Sequence, residues 1–343
     1  MPNNRRSVIL DKSFLQAESK DCRRLHFLKD AGCIFVLTDT LIYELCTNVD
    51  KKTQRNDQWP ATQRKLFPFA DCIEIWQHTA ELLQTEIKTQ KPINSPINQT
   101  VTDRFRAWFQ SGQSYVQSDL KALAASAKKQ WEGNSVDALI KECRDLCQSC
   151  PSYAATIQQD KAQAKTILAD LMGRKSFINW RIKRVHGDQA VTDLYIKGAE
   201  RGLGPEWFAY HETRSTLALC CVFMMKYGLK IEPGMDFGHT KLDADYASLL
   251  HYADGLATNE TSGNLADMCE WLYGGSKRIF STKNLDAAIP KEDKLREVAY
   301  QKWEQDGRTH GHDQSDWFWS KKKLAACWWE RIGKTQTQEV LNS

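Results

Sequence analysis

Four carboxylates stand at positions from which an α/β protein can do chemistry. Asp11 ends the apolar run Val8-Ile9-Leu10. Glu44 lies one turn inside a helix opened by Thr38-Asp39-Thr40. Asp243 or Asp245 opens the helical stretch DADYASLLHYA, and Glu260 follows the short apolar run GLAT. Parallel sheets hold functional groups in the crevice beyond the carboxyl ends of their strands, where all four positions fall. Carboxylate oxygens are hard donors that suit Mg²⁺ or Mn²⁺, ions that keep several waters and are held by one or two direct carboxylates plus substrate phosphate. A cup of this kind suits two-metal phosphodiester hydrolysis, one ion activating water and the other steadying the leaving oxygen. Taken singly, an aspartate after a strand is most often a turn or cap residue. The argument therefore rests on the four coming together.

The elements that must bring them together are legible at both ends of the chain. SVIL reads as a buried strand, residues 22 to 31 as a helix stopped by Gly32, CIFVL as a second buried strand, and TLIYELC as a helix with a Thr38 or Thr40 cap. That order, β-α-β-α, opens a parallel sheet. From about Lys51 to Ala199 the sequence turns Gln-, Lys- and Ala-rich with helical periodicity and few strand signals. Beyond Pro205 the β-α pattern resumes with DADYASLLHYADGLATNE, NLADMCEWLYG and RIFST. One α/β sheet interrupted by an insertion accounts for this. The expected organisation is a discontinuous domain of residues 1–48 and 200–287, a helical insertion of 49–199 and a Trp-rich helical C-terminal module of 288–335.

Other groups bear on ligands. Between Met172 and Gly187 lie Arg174, Lys175, Arg181, Lys183 and Arg184 with no acidic residue, interleaved with Phe177 and Trp180. This pattern suits tracking of a phosphate backbone with stacked bases. A helix with a solvated basic face and a buried aromatic stripe has the same pattern. Cys143, Cys147 and Cys150 raise the question of zinc, but no second ligand pair follows at structural-site spacing. His211, Glu212 and Arg214 form a polar face that either orients substrate phosphate or caps the core. Trp303, Trp317, Trp319, Trp328 and Trp329 put five of the twelve tryptophans into the C-terminal segment. Packing is their first reading, because a short module needs bulky side chains to build a core. Lys321 to Lys323 read as a solvated face, and His310 and His312 as solvent-facing loop residues.

Composition excludes several classes. With 343 residues, 41% hydrophobic and 26% charged, the chain is long enough for two domains at roughly 150 residues each and is neither disordered nor fibrous. The longest apolar run, Leu217 to Met225, is about half of what a bilayer span needs. The polar start, Met1 to Ser7, lacks the h-region of a signal peptide. A cytoplasmic protein with reduced thiols is expected, and its eleven cysteines show no framework spacing. The formal charge of +4 says little about partners. There is no G-x-x-x-x-G-K-[ST], no G-x-G-x-x-G in strand-turn-helix context and no G-x-S-x-G, which disfavours nucleotide motors, dinucleotide enzymes and nucleophile-elbow hydrolases.

The series V-I-L-D at Asp11, T-D-T-L-I-Y-E at Glu44, L-D-A-D-Y at Asp243 and D-G-L-A-T-N-E at Glu260 resembles the PIN-like nuclease domain, over roughly residues 7 to 48 and 200 to 285. The resemblance implies a three-layer α/β/α fold with a parallel sheet and clustered acidic residues binding Mg²⁺ or Mn²⁺. It also implies endonucleolytic cleavage of single-stranded or structured RNA to a 5′-phosphate and a 3′-hydroxyl. Asp11, Glu44 and Asp243 match the first three acidic positions, Asp243 being favoured over Asp245 by its D-x-x-Y spacing to Tyr246. Glu260 stands where the family usually has Asp, and Thr258 fills the hydroxyl position before it. The basic residues from Arg174 to Arg184 would hold the RNA backbone. Such bacterial nucleases often act as toxins or in phage defence. A catalytically inactive nucleic-acid-binding or scaffold protein, or a DNA nuclease with the same cup, is the alternative. The segment from Ala299 to Leu324, with A-Y-x-x-W-E-x-x-G-R and D-W-x-W, resembles a small bacterial domain of unknown function. It implies a helix-loop-helix module through which a protein partner or inhibitor would act.

Overall fold

The computed structural model describes residues 6–47, 58–111, 135–174, 204–228, 230, 238–260, 262–308 and 312–341. Five strands form one wholly parallel sheet: β1 (Arg6–Leu10), β2 (Cys33–Leu37), β3 (Ile73–Ile75), β4 (Gly255–Ala257) and β5 (Arg278–Phe280), in the order β3-β2-β1-β4-β5. β2 is buried at every position, which is why CIFVL carries no alternation: a parallel strand covered on both faces has no wet side. The register places Ile9 beside Val36 and Leu10 beside Ala257. Asp11, Thr38 and Thr258, the next residues along each strand, therefore come abreast at the carboxyl edge. At Gly255 an added Cβ would come within 2.7 Å of the Arg278 carbonyl oxygen and of the Phe280 ring, so the close seating of β5 against β4 requires glycine there.

β3 corrects the sequence expectation. It lies inside 49–199, and its three residues are too short to stand out from the helical periodicity around them. The sheet thus takes its edge strand from the segment read as insertion. A short helix, α1 (Lys12–Ala17), also intervenes before α2 (Arg23–Asp30) and α3 (Asp39–Thr47). Further along come α4 (Gln58–Leu66), α5 (Thr79–Thr89), α6 (Gln99–Ser111), α7 (Ser135–Ser149), α8 (Pro151–Gln159), α9 (Gln163–Gly173), α10 (Phe208–Tyr227), α11 (Gly238–Leu249), α12 (Asn264–Tyr273) and α13 (Thr282–Ala288). A hairpin of α14 (Glu292–Gln305) and α15 (Asp313–Leu341) ends the described chain.

Two hydrophobic cores result. One surrounds the sheet, and the other lies among α7 to α10 and the outer sides of α11 and α12. α10 is buried on nearly all sides, including Leu217 to Met224, as its continuous apolar run requires. Its first turn is fixed to the sheet domain by the buried Glu86. That carboxylate accepts from the backbone N–H groups of Phe208 (2.7 Å) and Ala209 (2.9 Å), and the helix dipole favours an anion there. α11 is shared: Tyr246 and Leu249 enter the sheet core while Ala244 and Ala247 enter the helical one.

The C-terminal hairpin is fastened by α15. Trp328 packs on Phe27 and Phe280 with ring centroids 4.9 and 5.6 Å apart. Trp329 is buried, with the guanidinium groups of Arg6 and Arg278 lying 5.3 and 4.5 Å from its ring. The outer rings differ. Trp317 and Trp319 are only half-buried and carry Lys321 and Lys323 against them. Trp329→Ala is expected to cost about 3–5 kcal/mol and Trp317→Ala about 1 kcal/mol or less. Equal losses in chemical denaturation would show that the hairpin is not held by this contact.

Candidate functional site: an acidic cup at the carboxyl edge of the sheet

Asp11 has the backbone of an N-cap for α1, yet its carboxylate makes no capping bond. It turns instead across the sheet edge. Thr258 donates to its Oδ2 at 2.7 Å, and the Ser13 hydroxyl donates to the same oxygen. Ser13 Oγ also accepts the Asn259 N–H at 2.9 Å, and Thr258 Oγ1 accepts the Glu260 N–H at 3.0 Å. The loop after β4 is thereby stitched to the first turn after β1. Thr258 is fully buried and its hydroxyl donates to Asp11, so it holds that carboxylate in place.

Thr38 caps α3, its Oγ1 accepting the Leu41 N–H at 3.1 Å. Two turns on, Glu44 accepts from the Tyr246 hydroxyl at 2.9 Å. Asp243 sits one helical turn before that tyrosine, which is the physical content of the D-x-x-Y spacing. Burial falls from Asp11 (6% exposed), through half-buried Glu44 and Asp243, to exposed Glu260, so the cup opens on the Glu260 side.

The four carboxylates share one electrostatic environment. Burial pushes Glu44 up to about 7, with Asp11 the next influence and Glu260 a smaller one. Burial pushes Asp243 up to about 8, followed by Glu260, Asp11 and Glu44 in that order. Lys226 is a weaker influence on Asp243 than any of the three carboxylates. Lys12 opposes the rise at Glu44, more strongly than Glu260 adds to it but less than Asp11 does, and negative charge gathered in a poorly solvated place favours protonation. The donor set fits a hard dication: carboxylates, with the hydroxyls of Ser13 and Thr258 behind them and no thiol or imidazole among them. Among the described residues, no three His, Cys, Asp or Glu side chains converge closely enough to hold an ion as they stand. Chelation therefore requires side-chain rotation within the cup.

A second buried cluster lies beside the first and was not singled out from sequence. Asp39 follows β2 and His78 follows β3, with Asp39 Oδ2 3.3 Å from His78 Nε2. Thr79 donates to Asp245 at 3.4 Å. Burial and then Asp245 raise Asp39 well above the usual carboxylate range. Asp245 is pushed up to about 7, while burial lowers His78 to about 4. Both shifts favour neutral partners, so this contact is an acid–imidazole pair with little charge. In sequence, Asp39 is masked by its capping triplet and Asp245 by the choice between two aspartates.

The remaining expectations divide. Arg174 is exposed, and its guanidinium is engaged by Asp170 (2.6 Å) and the Tyr153 hydroxyl (2.7 Å); no contact brings it to the acidic cup. Lys175, Arg181, Lys183 and Arg184 lie outside the described residues. His211 is buried and stacked on His251 at 3.5 Å, with Nε2 2.7 Å from the Pro205 carbonyl oxygen, a core role. No helix among the described residues is long and apolar enough to cross a membrane.

Comparison with known families finds one match. Residues 290–326, which take in α14 and the first half of α15, match a family described as a protein of unknown function, DUF2934. No curated protein and no solved structure matches the chain.

The raised values of Glu44 and Asp243 carry a sign. Their ordinary unfolded values are near 4, so the native state binds more protons from about pH 4 to 8 and the cup loses stability as pH rises through that window. In chelator, Asp243→Asn is expected to gain on the wild type progressively from pH 5 to 8 in urea midpoint. A difference that stays constant with pH would show that Asp243 is not held in this repulsion.

Proposed function

We propose that the chain is a metal-dependent nuclease of PIN-like type, with RNA as its substrate class. The observation that carries this reading is the raised carboxyls of Glu44 on α3 and Asp243 on α11, on which the charges of Asp11 after β1 and Glu260 after β4 act at one sheet edge. The strand order and wholly parallel sheet support a three-layer α/β/α domain of that kind.

In this proposal Asp11, Glu44, Asp243 and Glu260 hold one or two Mg²⁺ or Mn²⁺ ions. Bound there, a dication supplies an acidified water and neutralises charge on the phosphate. The chain's own groups do the rest. Thr258 and Ser13 fix the rotamer of Asp11 by donating to one oxygen, leaving the other available. Tyr246 does the same for Glu44. Exposed Glu260 stands at the mouth, where a phosphodiester enters. The basic residues Lys175 to Arg184 supply backbone contacts, and a toxin or phage-defence role belongs to the same proposal. A binding protein without catalysis is the second reading, favoured by the exposure of Glu260 and by the absence of a ready-made three-ligand group among the described residues.

The test is cleavage of labelled RNA and single-stranded DNA by purified protein in Mn²⁺ or Mg²⁺, beside Asp11→Asn and Asp243→Asn. Wild type is expected to cut RNA to 5′-phosphate ends, and both variants to lose cleavage while keeping their helical circular dichroism. Wild type inert on every substrate and metal sinks the enzyme reading; retained RNA binding would then select the second. Tyr246→Phe, which keeps the ring and removes one donor, is expected to lower the rate about 10–100-fold, and an unchanged rate would remove Tyr246 from the positioning role.

A further inference from the structure

A group of thiols lies outside the acidic cup, in the helical core. Cys143 and Cys147 are one turn apart on α7, and Cys220 and Cys221 are adjacent on α10. Cys143 and Cys220 are both fully buried, 77 positions apart, and their sulfur atoms are 2.8 Å from one another. Packing alone does not explain this separation, because unbonded sulfur atoms repel at such a distance. Shared ligation does not explain it either. Two thiolates on one tetrahedral zinc, with bonds of about 2.3 Å, stand about 3.8 Å apart. Cys143 and Cys220 are free thiols as they stand, and a disulfide bond, at about 2.05 Å, needs the two sulfurs to approach by less than about 1 Å.

We propose that Cys143 and Cys220 are a cross-linking site, forming an intramolecular disulfide that ties α7 to α10. The proposal is independent of the nuclease reading. The oxidant is a small-molecule disulfide such as glutathione disulfide. One protein thiol, deprotonated, attacks a sulfur of that molecule, forms a mixed disulfide and releases one small thiolate, which takes up the proton. The second protein thiol, deprotonated in turn, attacks the protein sulfur of the mixed disulfide and releases the second small thiolate. Two protein thiols are oxidised and one small disulfide is reduced to two thiols.

Access sets the timing. Both sulfurs are sealed, and burial followed by the neighbouring Cys220 raises the Cys143 thiol well above its usual range. Exchange therefore proceeds before α7 docks or when it lifts, since the thiolate is the reactive form. Once formed, the bond is shielded from reductants by the same burial. Cys147 is buried as well, its thiol pushed up to about 12 by burial and then by Cys220. No described contact brings it to disulfide distance of a partner.

The test uses the full chain, unfolded and refolded in glutathione buffers of rising oxidised-to-reduced ratio, then alkylated in denaturant and digested without reduction. The expected product is a peptide pair joining Cys143 to Cys220, two hydrogens lighter than its separate halves. It should be retained in Cys147→Ser and missing in Cys143→Ser and Cys220→Ser. The oxidised wild type should melt about 5 °C or more above the reduced form, with no such gap in Cys143→Ser. The wild-type peptide map decides the matter even if a serine variant fails to fold. Full alkylation of both residues at the most oxidising ratio overturns the proposal. So does a different pairing, or stoichiometric zinc in the purified protein that thiol alkylation releases.

Discussion

Carboxylates held side by side where burial strips away much of their water are the constraint around which this chain is organised. Bringing Asp11, Glu44, Asp243 and Glu260 to one edge costs free energy, and two of them respond by holding protons into the neutral range. The fold has to impose that proximity. It does so with a feature no single residue carries: the parallel register sets the ends of β1, β2 and β4 level, so residues far apart in sequence have no freedom to separate. Hydroxyl groups complete the arrangement, Thr258 and Ser13 on Asp11 and Tyr246 on Glu44. They steer the carboxylates without cancelling their charge.

The two cores divide the work. The sheet core fixes the ends of the strands, while the helical core supports α11 from behind through Ala244 and Ala247. The helix that carries Asp243 therefore has packing on both sides, and Tyr246 on its inner side reaches Glu44. Glu86 secures the junction by occupying the first turn of α10. Three backbone donors, the Ile93 N–H included, point at this buried carboxylate and offset part of its desolvation, which still raises it.

Much of this was legible in the sequence, for reasons that differ by element. β1 and β2 are apolar runs ended by a cap or a carboxylate, and α11, α12 and β5 follow from periodicity and turn residues. The spacing of Tyr246 from Asp243 was legible, but its hydroxyl bond to Glu44 was not, because it depends on how α11 packs against α3. β3 was not legible, because three residues flanked by a 3₁₀ turn and a helix give no period to detect. The cluster of Asp39, His78 and Asp245 was hidden as well. Asp39 looks like part of a cap, and nothing in the sequence near His78 tells that β3 will place it beside β2. The commitment of Thr258 to Asp11 depends on the β1–β4 register, which sequence alone does not fix. Of the five basic residues expected to hold substrate, Arg174 is engaged by its own helix and by Tyr153.

The matched segment of unknown function ends at residue 326, two positions before the tryptophans that fasten it. Trp328 and Trp329 belong to the same helix but lie past that boundary, and their partners, Phe27, Arg6, Arg278 and Phe280, belong to the sheet domain. The inherited module and the mechanical unit thus have different borders. A graft cut at the family border would carry the hairpin away from its anchor and leave bare aromatic surface on both fragments.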